Sequence, residues 1–309
     1  MKPRILVIYY SQTGQLREIL ESVLTSIRDD VEVTFAPLEP VTPFPFPWTA
    51  AAFFDAMPEC VVGQPGPVKP LDPQVMAAPY DLVLLGYQPW FLHPSQPVTA
   101  FLKSPQAAML KDVPVVTVVG CRNMWLNAQE CVKKELNALG AKLVGNIVLH
   151  DTHPNLVSTL TVMRWAFSGR KAASRFLPAA DVQDSDIRES QRFGPLLLVH
   201  LRRSVALHNL HEDLLLQRSV VLDPALMLME QRGVRIFRRW AHFIRLKGGP
   251  RNPARAARVT AFRTFLTLGI FVLSPLSALL ARVRGVLQKG HTQGELKYFR
   301  GLEYQPGRI

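Results

Sequence analysis

The chain opens with an unbroken apolar run, Ile5, Leu6, Val7, Ile8 and Tyr9, with β-branched and aromatic content. This pattern predicts a strand buried on both faces of a parallel sheet. Ser11, Gln12, Thr13 and Gly14 then form a short polar turn. From Leu16 the period changes: Leu16, Ile19, Leu20, Val23 and Leu24 share one helical face. Four more strand-like runs follow, at 31–36, 81–86, 114–120 and 141–150. Between the second and third lies a Pro-rich, aromatic insertion. Within it Thr49 is placed to cap a short helix reaching Met57, and 58–79 reads as an irregular loop. Residues 125–139 have helical spacing. Five strands alternating with helical segments predict an α/β, doubly wound five-stranded parallel sheet over residues 1–152.

Beyond residue 152 strand patterns vanish. Residues 153–309 predict a basic, mainly α-helical C-terminal region, with helices at 155–167, 186–203, 212–222, 224–246 and 255–287. The breakers between them are HP at 153–154, LP at 177–178, DP at 223–224 and KGGPRNP at 247–253. Residues 264–281 run without a charge between Arg263 and Arg282, at the lower edge of a membrane span. Ser274 and Pro275 break the middle of this segment. It reads as a bent hairpin at, or partly inserted in, an anionic membrane surface or as a buried core helix, with a simple span as the lesser alternative.

Charge separates the two halves. Residues 1–159 hold 11 Lys+Arg against 14 Asp+Glu, a net of −3, and residues 160–309 hold 25 against 10, a net of +15. The basic half is suited to anionic lipid, an acidic carrier protein or nucleic acid. Its flanking of the apolar segment favours lipid, and no RNA- or DNA-binding module is present, so no nucleic-acid partner is expected. Three cysteines, Cys60, Cys121 and Cys131, are too few for a disulfide framework or a zinc site and fit a reduced, cytoplasmic setting. MKPR leads straight into the first strand, with no h-region or cleavage site of a signal peptide. The expected location is cytoplasmic, peripheral on the inner face of the membrane.

A strand–turn–helix unit aims backbone N–H groups and the positive helix end at one point, which suits a phosphate. Ser11 and Thr13 can donate to phosphate oxygens, Gly14 lets the backbone approach, and Gln12 and Gln15 complete the turn. In doubly wound sheets the ligand sits outside the carboxyl ends of the strands. That rule adds the loops after the third and fourth strands. Pro89, Trp90, Phe91, Met124 and Trp125 offer apolar surface for an aromatic ring system, and Asn123 can bond its polar rim. The other reading of Trp90 and Trp125 is aromatics at the rim of the core. His93 stands in the first of these loops, where an acid or base would be useful. The cluster His150, Asp151 and His153, and the pair His208 and His211, read more simply as a strand-end loop and a helix start. No metal site is expected.

The S-x-T-G turn after the first strand resembles the phosphate loop of flavodoxin-like proteins, with Leu16 where that loop carries a further Thr. The resemblance implies FMN as cofactor, its ring held by the 86–102 and 120–130 loops. Across the whole chain, VIYYSQTGQ, FPFPWT, FFDAMPE, GCRNMW, RRWAHFIRLKGGP, FVLSPLSAL and KYFRGLEY resemble flavodoxin-like proteins of dialkylresorcinol and aryl polyene biosynthesis, often labelled dialkylresorcinol condensing enzymes. Condensation itself needs a nucleophilic Cys with His or Asn partners on a different fold. A flavin-binding sheet suits oxidation, so the resemblance implies an aromatase-type step from a dialkyl cyclohexanedione to a dialkylresorcinol. The implied partners are a lipid-like small-molecule substrate and a ketosynthase or acyl carrier protein. Two alternatives stay open: a membrane-associated NAD(P)H:quinone or flavodoxin-like reductase, and a non-catalytic scaffold for the ketosynthase or carrier.

Overall fold

In the computed structural model, which describes residues 2–202, 207–273 and 289–308, five parallel strands form one sheet. They are β1 (Arg4–Tyr9), β2 (Glu32–Pro37), β3 (Leu82–Tyr87), β6 (Pro114–Cys121) and β7 (Lys142–His150). Their order is β2-β1-β3-β6-β7. A two-stranded hairpin, β4 (Pro89–Trp90) and β5 (His93–Pro94), folds up within the loop after β3. The doubly wound parallel sheet expected from the sequence is therefore present, and its order is that of the flavodoxin-like arrangement.

Each strand is apolar on both faces because helices cover both. On one face α1 (Gln15–Thr25) buries Leu16, Ile19, Leu20, Val23 and Leu24. It packs close because β3 carries Gly86: a Cβ there would lie 2.7 Å from Leu20 Cδ1. On the other face lie α4 (Gln96–Leu102) and α5 (Leu126–Leu139), whose Val98, Phe101, Val132 and Leu136 are fully covered.

Helix α2 (Ala50–Val61) starts at Thr49, whose hydroxyl accepts from Ala52 N at 3.2 Å. It runs four residues beyond the expected end at Met57. Pro58 removes one backbone donor only, and Phe54, Met57 and Val61 continue the buried stripe past it. A five-residue helix, α3 (Pro73–Ala77), lies in the stretch read as irregular; Pro at its first position and Asp72 as its cap initiate it.

The second half is helical as expected: α6 (Asn155–Ser168), α7 (Asp184–Glu189), α8 (Phe193–Arg202), α9 (Leu210–Leu216), α10 (Pro224–Arg245), α11 (Ala256–Leu268) and α12 (Lys289–Arg300). A 3₁₀ turn at Ser190–Arg192 divides what the sequence offered as one helix over 186–203. Helix α9 stops at Leu216, and Ser219 O then accepts from Val148 N beside β7. These helices share the cores of the first half. Val182, Phe193, Leu197 and Leu214 pack against α1 and β7, and Met227 and Phe299 join the opposite face. Phe237, Ala241, Ile244 and Phe262 pack on Phe54 and Met57 of α2. The change at 152/153 thus marks where strands give way to helices, not a gap between cores. Arg255, fully buried, ties α11 to α2 through Asp55 and Glu59, at 2.6 and 2.9 Å.

Of the apolar segment 264–281, residues up to Leu268 finish α11 and Gly269–Leu273 form a π-turn; 274–281 lie outside the described residues. Among the described residues no helix is long and apolar enough to cross a membrane.

Candidate functional site

Parallel pairing in register brings Tyr9, Gly86, Cys121 and His150 to one edge of the sheet. Four connections meet there: 10–14, 88–95, 122–125 and 151–154.

The turn at 10–14 leaves several polar groups unpaired beside open space. Gly14 sits at φ 89°, a left-handed conformation open to glycine, and heads α1 with no side-chain cap. A Cβ on Gly14 would have no neighbour within 4 Å, so space stands in front of it. The first N–H groups of α1 have no carbonyl inside the helix to bond. The hydroxyls of Ser11 and Thr13 are buried and have no hydrogen-bond partner among the described residues. Buried hydroxyls normally find partners. Two orphans in one turn, beside open space and a helix N-terminus, fit a bound phosphate. The side chains of the two glutamines are otherwise engaged. Gln15 Nε2 donates to Val182 O at 2.9 Å, and Gln12 donates to Pro45 O at 3.0 Å. What Gln15 offers an anion is its backbone amide. Leu16 is a core residue under the sheet, which accounts for an apolar side chain at that position.

Next to this turn stands an aromatic cluster that the sequence reading only half contained. Trp90 meets Tyr10, Phe44 and Trp48 edge-on, with ring centroids 5.8, 5.0 and 5.6 Å away. Phe44 and Trp48 come from the Pro-rich insertion, and Trp48 Nε1 donates to Gln12 Oε1 at 3.1 Å. The insertion is therefore strapped to the 10–14 turn. The FPFPWT motif was the available signal, but no periodicity says where an irregular segment folds back. Phe91 leaves Trp90 on the other side of the hairpin and packs on Phe53, 4.8 Å between centroids. Both Phe91 and Leu92 have positive φ, 50° and 65°, which makes the tight reversal between Pro89 and His93.

His93 is 4% exposed, with Nδ1 3.0 Å from Phe91 O. Burial, aided by the charge of Arg238 and opposed by the Phe91 carbonyl, pushes its pKa down to about 4. The ring is neutral near pH 7, Nδ1 donates to Phe91, and Nε2 is left as the acceptor.

On the 122–125 connection Trp125 is 2% exposed and belongs to the core under the sheet edge, while Met124 is half-buried. Asn123 Nδ2 donates to Asn155 Oδ1 at 2.9 Å, and its Oδ1 is buried without a donor among the described residues. Arg122 binds Asn155 and Thr159 at the start of α6. The 150–153 cluster sits beside it. Asp151 Oδ1 accepts from His153 Nδ1 at 2.7 Å, and Asp151 Oδ2 and Asp181 Oδ1 are buried without partners among the described residues. Burial, then the charge of Asp151, pushes the Asp181 carboxyl up to about 6. His208 stands at the start of a 3₁₀ turn, far along the chain from this edge, and His211 Nε2 binds Arg300 O.

Sequence reasoning did not single out Glu230. It is 1% exposed on α10, and its carboxylate accepts from Asn127 N at 2.8 Å. Trp125 provides no cap, so this remote side chain caps α5 at the foot of the 122–125 loop. Burial raises its pKa to about 7, against the opposing effect of the Asn127, Leu126 and Trp125 amides. Pro89, the first hairpin residue, pairs with Pro94, and the carbonyls of Trp90 and Pro94 accept from Cys60 Sγ on α2.

No protein-family model matches the chain, and no curated protein matches it. Solved structures similar in fold include a flavoprotein in complex with FMN from Lactobacillus acidophilus NCFM, 18% identical, covering 47% of this chain and 93% of its own, with a TM-score of 0.36. A flavodoxin from the domain Archaea is 12% identical, covering 64% of this chain and 99% of its own, with a TM-score of 0.35. A flavone reductase is 11% identical, covering 64% of this chain and 63% of its own, with a TM-score of 0.33.

Proposed function

We propose that this protein is an FMN-dependent oxidoreductase whose cofactor lies at the carboxyl edge of the sheet. The observation that carries this reading is the pair of orphaned hydroxyls, Ser11 and Thr13, beside the open space at Gly14. Ser11, Thr13, Gly14 and the amides of Gln12 and Gln15 would hold the phosphate. Trp90 and Phe91 of the hairpin, with Pro89, Asn123 and Met124, would frame the ring, and Trp125, expected there from the sequence, lies in the core beneath them. Asn123 Oδ1 supplies an acceptor that no donor among the described residues satisfies.

Bound FMN would supply a two-electron acceptor. The finer reading follows the motif resemblance. A dialkyl cyclohexanedione loses one hydride equivalent and one proton and becomes a dialkylresorcinol. His93 is the residue for the proton: the carbonyl of Phe91 fixes its tautomer and leaves Nε2 basic. A pKa of about 4 makes it a weak base, suited to an already acidified C–H next to a carbonyl, on the carbon adjacent to the one that gives up the hydride. The aromatic cluster and the covered hairpin exclude water from the region.

The expected substrate is lipid-like, and membrane association remains part of the proposal. Phe243, Leu246, Phe265 and Leu268 are exposed on α10 and α11, beside exposed Arg232, Arg235 and Arg239. Apolar side chains flanked by arginines support contact with an anionic surface. Docking of a ketosynthase or acyl carrier protein on the same basic helices is the competing use of this face.

The test is spectroscopic. Purified protein supplied with FMN should turn yellow, and anaerobic addition of a dialkyl cyclohexanedione should bleach it. Yellow protein bleached only by NAD(P)H would favour the reductase alternative. Protein that stays colourless after reconstitution would favour the scaffold.

A further inference from the structure

The Pro-rich insertion closes a second feature. Between it, α2 and the 250–251 turn lies a cavity of about 320 Å³. Pro43, Phe44, Trp48, Ala52 and Pro97 give it apolar walls, and Arg251 stands at its mouth. The charges around it can be counted. Asp55 and Glu59 contribute two negative charges. Arg255 is bonded to both, and Arg245 lies 3.6 Å from Glu59. These four cancel. Arg251 remains: its backbone N–H binds Asp55 at 2.8 Å, but its exposed guanidinium has no partner among the described residues. Its φ of 63° holds the residue in a turn whose backbone is anchored on α2.

We infer that this cavity is a binding site for a small amphiphile with an apolar body and one anionic head, a medium-chain carboxylate, with Arg251 as the headgroup ligand. The chemistry follows from the distribution of polarity. An apolar chain gains by entering walls of proline and aromatic carbon. A carboxylate at the exposed mouth stays partly hydrated and meets a guanidinium that fits it with two parallel hydrogen bonds. A second cation or a neutral polyol would find no such complement, because the acids in the wall are already paired. The site is separate from the phosphate turn. They share a wall, since Trp48 lines the cavity and also bonds Gln12. The inference does not require FMN to bind.

Calorimetric titration with octanoate and with octan-1-ol tests it, on protein with and without FMN. Octanoate should bind saturably with one site. Arg251→Gln, a surface change, should weaken octanoate about tenfold and leave octan-1-ol unchanged. Ala52→Phe, which fills the cavity from the exposed side of α2, should abolish both while the circular dichroism spectrum and melting profile stay native. The inference is overturned if octanoate does not saturate, if Arg251→Gln binds octanoate as tightly as the parent, or if folded Ala52→Phe binds as before. Failure of the protein to take up FMN leaves every one of these readouts intact.

Discussion

Glu230 offers the most quantitative test of how the C-terminal helices support the site. Its carboxyl is moved from an ordinary 4.5 to about 7, chiefly by burial. A carboxyl raised in the folded state stabilises the fold most when both states are protonated, below pH 4.5. That contribution is lost as pH rises toward 7. At about 1.4 kcal/mol per pH unit, the loss amounts to roughly 3 kcal/mol. Glu230→Gln keeps the shape and one acceptor for the α5 amides but cannot ionise. Any fixed cost of the substitution cancels when the two proteins are compared at two pH values. The variant should therefore gain roughly 3 kcal/mol on the parent between pH 4 and pH 8. At about 2 °C per kcal/mol for a chain this long, that is a relative rise of about 6 °C in melting temperature. Thermal scans from pH 4 to 8 would show the two curves diverging, with the steepest change between pH 5 and 7. Parallel curves across that range would refute the buried, ionisable cap.

Other substitutions separate packing from binding. Arg255→Ala takes the buried guanidinium from between Asp55 and Glu59, leaving only Arg245 beside Glu59, and should cost about 3–5 kcal/mol in denaturant titration. Trp125→Ala should also cost about 3–5 kcal/mol, because that ring is in the core, whereas Trp90→Ala should weaken flavin binding by about tenfold with a smaller loss of stability. Phe265→Ser with Leu268→Ser should make sedimentation with anionic vesicles fully sensitive to salt; vesicles that never retain the parent protein would refute the membrane reading.

The sheet was legible because its code is local. Runs such as 5–9 and 114–120 are apolar on both faces, and only a strand covered twice by helices uses such a run. The change of period at Leu16 placed α1, and the strand ends placed the loops. The site was legible only in part. Ser11, Thr13 and Gly14 are contiguous, so one turn displays them together. Glu230 and Asp181 reach the same edge from far along the chain, through α10 and the loop before α7, and no spacing announces that. The insertion misled for a related reason. Its prolines hide any period, so the strap from Trp48 to Gln12 is a tertiary fact. Helix α2 ran past Pro58 because its buried face toward α10 and α11 outweighed one missing backbone hydrogen bond.

If the turn at 11–15 cradles the phosphate of a flavin, the phosphate decides affinity, and a paired titration reads that directly. Protein freed of bound flavin is titrated with FMN and with riboflavin, which differ only in the phosphate, following the quenching of flavin fluorescence. A phosphate cradle predicts that FMN binds at least a hundredfold more tightly, a difference of about 3 kcal/mol that charge-assisted hydrogen bonds from the two hydroxyls and the helix amides readily supply. It also predicts that Gly14→Val, whose side chain would fill the open space, erases the preference in a protein that still folds. Equal affinities for FMN and riboflavin, or a preference that survives in folded Gly14→Val, would contradict it.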